Sequence, residues 1–497
     1  MSKRTCLFWM LVLVPALLGA AAQDEKATVS ESWLATVAAL KPDEQAKAIA
    51  EKLQELNQRL PTQVSFKAED DKIVEFTFSG NGVGDIRPLA VLKHVRKLNF
   101  DGTAPVSETD KARVQDLGVL RGMPLVELHM AWCKVKDLSP LRGMALTVLD
   151  CYACPVERLD PLEGMPLVSL NCAATPVPSL GPLRGAPLVS LNCSSTKVDS
   201  LAPLEGAPLT SLAATHTAVQ DLRPLKGMPL VSLDLTGAPV ADVAPLKGLP
   251  LTSLSLWATK VQDLSPLKGM ALAGLSLRNT PVRDLAPLKG MPLKSLDCGG
   301  SAIVSLAPLK GLELTSLWCF STAVKDLAPL RGAPLVSLDI RNTKVTDLSP
   351  LKEMKLQSLA LAGAPVASIA PLKEMPLGAL DLTDTRVSDL TPLRSMKVTT
   401  LTLTRAPVRT LAPLKGSAVD WLELAESPVS DLTPLRAQKS WRYLGFHKTY
   451  VRDYAVLKGM TIQNLAAPIR TRADLAAIKG VKGLLYLNGK DASEQLK

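Results

Sequence analysis

Apolar and polar residues alternate along this chain in one pattern that keeps returning. Residues 230–250 read LVSLDLTGAPVADVAPLKGLP, the block before them LTSLAATHTAVQDLRPLKGMP, and the block after them LTSLSLWATKVQDLSPLKGMA. With Leu230 as position 1, the template is L-x-x-L-x-L-x-x-T-x-V-x-D-L-x-P-L-K-G-M-P. The proline of position 16 recurs from Pro140 to Pro434 in steps of 21 residues. A fixed period of this length marks a stacked repeat. One unit cannot bury its own apolar side, and its neighbours must do so.

Leucines at positions 4 and 6, separated by polar residues, have the period of two of a half-buried strand, and the strand is expected to begin at position 1. Val at 11 and Leu at 14 and 17 face inward with them. Position 13 is Asp in most units, Ser at Ser179, Ser200, Ser305 and Ser368, and Thr at Thr410; Arg158 breaks the set. These side chains share an oxygen that caps free backbone N–H groups at a helix start. D-L-x-P-L therefore predicts a short 3₁₀ turn with proline in its first turn, where a missing N–H costs nothing. Gly-Met-Pro is expected to end it, because proline cannot continue a helix.

This pattern resembles the leucine-rich repeat family, over nearly the whole span from Ile73 to Asn488. The subtype is similar to the short bacterial repeat of internalin-like and planctomycete-type proteins. The resemblance implies an α/β-type repeat: a leucine-rich repeat solenoid with a concave parallel sheet, short 3₁₀ return turns and an N-terminal helical cap. The family carries Asn at position 9, where its amide bridges adjacent turns. Here Asn81 keeps it, while Thr175, Thr196, Thr217, Thr259, Thr280, Thr343 and Thr385 replace it, with Cys133, Cys154 and Ala238 as variants. A hydroxyl ladder between turns is the expected substitute.

Taken in order, residues 1–22 read as a signal peptide: Lys3 and Arg4, an apolar run, then Ala20, Ala21 and Ala22. A secreted or periplasmic protein of the cell envelope is expected. Residues 23–72 form the helical N-terminal cap, with Ala46, Ile49, Leu53, Leu56 and Leu60 on one helix face. Residues 73–489 form the solenoid, about nineteen units plus a final strand at Leu485, Tyr486 and Leu487. At about 4.8 Å per strand that is a sheet on the order of 90 Å long. Phe76 and Phe78 take leucine slots in the first unit. The GNGVG at residues 80–84 fits positions 8–12 of a repeat and lacks the context of a phosphate loop. A charged insertion at 107–115 leaves the stack. After Arg436 the register slips by one residue, and the unit from Trp441 to about Thr461 holds Tyr443, Phe446, Tyr450 and Tyr454, larger residues than those slots usually take. Residues 490–497 read as a polar tail.

Composition changes this picture little. Aromatic residues make up 4% of the chain, as expected of thin layers of Leu, Val and Ala. Of eight cysteines, Cys6 falls in the leader. Cys151, Cys172, Cys193, Cys298 and Cys319 occupy the core slot of position 6 and read as small hydrophobes. Cys133 and Cys154 share position 9 of adjacent units, where parallel side-chain vectors disfavour a disulfide. The net charge of +10 raises nucleic acid or an anionic surface as a partner. Its main source is Lys or Arg at position 18 of most units, such as Lys226, Lys247 and Lys268. These read as solvated turn ends, which argues against nucleic acid.

No motif of a hydrolase, phosphate-binding loop, kinase or zinc protease is present. The expectation is no enzyme, no cofactor and no metal site. Binding is expected on the strand face, where positions 3 and 5 are mostly Ser, Asp and Asn. Against that background Trp257, Arg278, Phe320 and Arg341 stand at position 7 and Trp318 at position 5 of neighbouring units, with Gly299 and Gly300 as a notch between them. Trp and Arg dominate binding energy at interfaces. A second group is His129, Trp132 and Tyr152. Two functions follow: a monomeric binding module for a protein or peptide on the concave face, or a structural envelope protein held to an anionic surface by its basic turn edge.

Overall fold

The computed structural model describes residues 29–57, 63–104, 113–438 and 440–496. The leader at 1–22, the continuation of the longer cap helix to Leu60, and most of the insertion at 107–115 lie outside the described residues. The chain divides into two compact units, Met1–Asp234 and Leu235–Lys497.

In the first unit, helix α1 (Glu31–Ala38) starts at Ser30, whose hydroxyl accepts the Trp33 amide N–H. Helix α2 (Pro42–Asn57) opens on proline and two acids and buries Ala46, Ile49 and Leu53. Its last residue stitches it to the first repeat. Asn57 Oδ1 accepts the N–H groups of Gly84 and Asp85 at 2.8 and 2.9 Å, and its Nδ2 donates to Asp85 O. The glycine-rich stretch thus spends its amides on the cap.

The cap is helical only as far as α2. Strand β1 (Val64–Glu69) pairs antiparallel with β2 (Lys72–Phe78). The sequence VSFKAE alternates with a strand's period, and Asp70 and Asp71, both at positive φ (48° and 57°), close the two-residue hairpin. Charged Lys67 and Glu69 on this outermost strand discourage pairing with another chain. From β2 onward, three-residue strands follow in parallel and in register, from Lys97–Asn99 and Glu127–His129 through Val148–Asp150 to Ser232–Asp234.

The second unit continues the pattern from Ser253–Ser255 to Trp421–Glu423, then widens to six-residue strands at Ser440–Gly445 and Thr461–Ala466. The C-terminal end carries more structure than the sequence suggests. Helix α3 (Arg472–Lys479) opens with a capping box between Thr471 and Asp474. Tyr486–Leu487 turns back antiparallel onto Lys490–Asp491, and α4 (Ala492–Gln495) follows, so the polar tail begins as ordered backbone.

Within a repeat the core is as the periodicity requires. Leu251, Leu254, Leu256, Val261, Leu264 and Leu267 are each at most 2% exposed. The paired strand, however, covers only positions 3 to 5. The turn holds three residues, such as Ser265–Leu267. Position 13 caps it through an i→i+2 contact: Asp263 Oδ1 accepts the Ser265 N–H at 2.8 Å, and Ser305 Oγ accepts the Ala307 N–H at 3.2 Å. At the break in the set, the Arg158 guanidinium instead pairs with Asp160. The turn ends earlier than expected, not at proline but at position 19, where glycines such as Gly269 (φ 76°) enter the left-handed region. Glu353 and Glu374 adopt the same conformation at φ 70° and 68°.

Position 9 differs from expectation too. Thr259 Oγ1 donates to Leu256 O at 2.7 Å and Thr343 Oγ1 to Ile340 O at 2.7 Å, within one unit. The hydroxyls tie the strand end to its own turn and build no ladder between units. Asn81 does bridge, exchanging two bonds with Thr103. Cys154 bridges as well, its thiol donating to Met130 O at 3.0 Å. All seven described cysteines are free and buried. Burial pushes the thiols up, to about 12 at Cys154, Cys193 and Cys319. No helix among the described residues is long and apolar enough to cross a membrane.

Candidate functional site

Side chains at position 7 project from the end of each strand, and position 5 sets how. Asp297 Oδ1 accepts the Gly299 N–H at 3.0 Å, Asp339 Oδ1 the Arg341 N–H at 3.0 Å, and Asp381 Oδ1 the Thr383 N–H at 2.9 Å. The acidic background therefore has a structural role, because it turns the chain out of the strand. Position 8 follows in the left-handed region in successive units, including Ala258, Asn279, Ser321 and Asn342.

In the second unit this geometry brings the central group together. The Arg278 guanidinium lies 4.7 Å from the Trp257 ring centre on one side and 4.8 Å from the Phe320 ring centre on the other. Arg341 lies 5.6 Å from the far face of Phe320. Phe320 reaches Arg278 across an intervening unit because Gly299 has no side chain. A Cβ there would fall 2.3 Å from Phe320 Cε1. The result is a stack of alternating rings and cations, each contact an attraction between a cation and a ring face. Trp318 stands beside it, paired in register with Asp297 and Asp339 on the flanking strands. Arg278, Asp297, Trp318, Phe320, Asp339 and Arg341 line an open depression of about 300 Å³.

The electrostatics of the depression are uneven. Asp339 is buried and receives a fork from Arg341, with Nε at 3.0 Å from both oxygens and Nη2 at 2.6 Å from Oδ2. Burial pushes the Asp297 carboxyl up, against the Gly299 amide and the nearby Arg278 charge. Arg278 makes no ion pair among the described residues, and its Nε is buried without a hydrogen-bond partner.

In the first unit, Trp132 and Tyr152 meet edge to face, ring centres 5.4 Å apart at 81°. Trp132 sits at position 8 rather than 7 and takes φ 63°, a strained conformation for a bulky side chain. Among the described residues His129 joins no ring contact; burial pushes the nearby Asp101 carboxyl up, and Asp101 Oδ1 accepts the Ala131 N–H at 2.7 Å. A larger depression of about 470 Å³ on the turn side is ringed by Lys136, Asp137, Arg142, Glu157, Arg158 and Asp160, whose charges offset one another.

A further pair escapes the sequence reading. Trp421 stacks on Tyr443, centres 4.6 Å apart at 18°, and the Tyr443 hydroxyl donates to Glu423 Oε2 at 2.5 Å. Trp421 pairs with Tyr443, both at position 3 of their units, while Trp441 is buried at position 1. Tyr450 is 64% exposed, whereas Phe446 and Tyr454 are buried edge to face at 5.1 Å. A large residue at position 3, where Ser is the rule, was the available signal.

Neither a family model nor a curated protein matches the sequence. Solved structures do. The plant peptide hormone receptor RGFR1 in complex with RGF2 superposes with a TM-score of 0.53 at 13% identity, covering 82% of this chain and 76% of that one. The Arabidopsis receptor kinase HAESA, in complex with the peptide hormone IDA and the co-receptor SERK1, gives 0.52 at 15%, covering 85% and 80%. An internalin of Listeria monocytogenes, InlF, gives 0.39 at 20%, covering 75% and 94%. At these identities the likeness to the two plant receptors is one of fold.

Proposed function

We propose that this leucine-rich repeat protein is a non-enzymatic binding module, secreted or periplasmic, that takes a protein or peptide partner on its strand face. The observation that carries the reading is the stack of Trp257, Arg278, Phe320 and Arg341 beside Trp318. It presents rigid rings and a cation, on a background of small side chains, around an open depression. Such residues form binding hot spots when a partner covers them. The fold is compatible with this use, since HAESA, which shares it, is bound to a peptide hormone. The apolar run of residues 1–22 supports export, and we read the protein as a monomer.

The exposed cations of position 18, such as Lys226 and Lys247, support a second reading, attachment to an anionic surface by the turn edge. Salt separates the two. Attachment through solvated cations collapses as salt rises, while a contact anchored by buried rings changes little. The direct test is cross-linking capture with the chain lacking residues 1–22, parent against Trp318→Ala, Phe320→Ala. Parental capture by the double variant sinks the strand-face reading.

A further inference from the structure

The second unit contains its own control for Arg278. The triplet Arg-Asn-Thr occurs at residues 278–280 and again, three repeats on, at 341–343. Glycine at position 8 recurs with the same three-repeat step, at Gly237, Gly300 and Gly363, all at positive φ. The two triplets have matching surroundings. A Cβ on Gly300 would fall 2.1 Å from Asn279 Oδ1, and a Cβ on Gly363 would fall 2.1 Å from Asn342 Oδ1. Each arginine also follows an aromatic residue of the preceding unit, Trp257 before Arg278 and Phe320 before Arg341, and lies over its ring.

The two arginines differ in the residue beside them on their own strand and in the second ring that Arg278 alone contacts. At position 5 of its own strand, Arg341 has Asp339, which takes its guanidinium in a two-oxygen fork. Arg278 has Ser276 in that place. Its guanidinium touches two rings and no carboxylate, although it is held more firmly, between two faces instead of over one. With two rings against it and Nε buried, the terminal Nη1 and Nη2 groups are its outlet. A planar carboxylate fits the two terminal nitrogens with two parallel bonds, the end-on counterpart of the fork that Asp339 makes to Nε and Nη2 of Arg341. We propose that Arg278 receives an aspartate or glutamate side chain of the partner, which supplies the carboxylate that Asp339 supplies to Arg341. The proposal rests on the strand-face reading and names the chemistry it selects: an acidic residue within a peptide segment. The template is itself a side-chain carboxylate carried on extended backbone. Asp297 lies near Arg278 and opposes the incoming charge; it forms no ion pair with Arg278 and is half-buried with its Oδ1 on the Gly299 amide.

The test pans a random dodecapeptide library, displayed with both peptide ends joined to the carrier, on the parent chain. Selected peptides are then made with blocked ends and titrated by fluorescence anisotropy. The expected consensus contains one fixed Asp or Glu. Its replacement by Asn or Gln, or Ser276→Asp in the protein, weakens binding by about thirtyfold, the loss of one buried charge pair. Asp297→Asn tightens it. Ser276→Asp is expected to melt no lower than the parent; should it fail to fold, Arg278→Gln takes its place with the same expected loss. A basic or neutral consensus that tolerates Ser276→Asp but is lost on Trp318→Ala, Phe320→Ala overturns the carboxylate and leaves the strand-face reading standing. Peptides indifferent to all of these variants, or no peptide selected, overturn both.

Discussion

The central group in the second unit and the N-terminal group in the first look alike as text: large residues on a background of small ones. As structures they differ in kind. Around Arg278 the rings and cations lie face to face and each supports the next. Around Trp132 a single edge contact to Tyr152 is held by a backbone that a bulky residue resists, at φ 63°. The difference follows from one step in the repeat. Position 7 leaves the strand directly and position 8 is already left-handed, so an aromatic ring at 7 costs little and one at 8 costs about 1–2 kcal/mol. Both groups share one element, a half-buried aspartate at the strand end, Asp297 or Asp101, whose carboxyl burial pushes up.

The largest effect that separates the groups should come from Trp318→Ala, Phe320→Ala. Binding on the strand face is expected to lose about 2 kcal/mol or more, whereas Trp132→Ala, Tyr152→Ala should leave the same partner within a factor of about two. Parity between the two double variants would erase the distinction. Stability responds as well. None of the central residues fills a core slot, which on sequence grounds limits the cost of truncation to about 0.5 kcal/mol. The stack raises that figure, because Phe320 carries two cation contacts worth about 0.5–1 kcal/mol each and covers Gly299. Denaturant unfolding of Phe320→Ala alone should therefore show a loss of about 1–2 kcal/mol.

Strain gives the next effect, with opposite sign. In a Tyr152→Ala background, where the edge contact is already gone, Trp132→Gly should stabilise the chain by about 1 kcal/mol. The same relief without any ring is available at Glu353, where φ is 70°, and Glu353→Gly should gain a similar amount. If Glu353→Gly gains and Trp132→Gly does not, the Trp132 backbone is supported by contacts beyond Tyr152.

The two groups also differ in how far the sequence alone reveals them. The repeat, its core slots and the capping residues are legible because each recurs with the period that physics imposes; Pro140 to Pro434 in equal steps leave no freedom. Membership of the central group is legible for the same reason, since residues at position 7 of neighbouring units must be neighbours. What is hidden lies between periods. The step that joins Arg278 to Arg341 spans three units, and a template of one unit averages it away. The stack of Trp421 on Tyr443 is hidden because it occurs once, at position 3 of two neighbouring units, and has no period of its own. The hydroxyls of Thr259 and Thr343 stand where the template puts them, but a side chain that can bond its own turn or the next gives no sequence sign of which it chooses. The hairpin of β1 and β2 is missed because β1 lies before the first repeat unit, where the 21-residue template gives no register.

The smallest effects are in pH, and their signs divide the aspartates into two classes. Asp263 at a turn start has its carboxyl held below the ordinary range, first by the Ser265 hydroxyl and then by the Ser265 amide. Asp347, Asp389 and Asp431 are held down in the same way by Ser349, Thr391 and Thr433. A depressed folded value means that the stabilisation is present above the ordinary carboxylate range and is lost as pH falls through the folded value. Asp297 and Asp101 run the other way. Burial raises their folded values, so the unfolded chain releases its proton first, and a penalty on the folded state grows from the ordinary carboxylate range and is complete above the raised value. Urea unfolding across the acid range should therefore give two opposite families of curves. Asp263→Ala should be less stable than the parent at neutral pH, with Asp263→Ser recovering most of the loss, because a hydroxyl still accepts the Ser265 N–H as Ser305 accepts that of Ala307. Asp297→Asn should be more stable than the parent at neutral pH. Both differences should close on acidification, the first because the cap protonates and the second because Asp297 is then neutral in both states. A gap for Asp297→Asn that persists unchanged into acid would mean that the amide gains a hydrogen bond there instead of removing a charge.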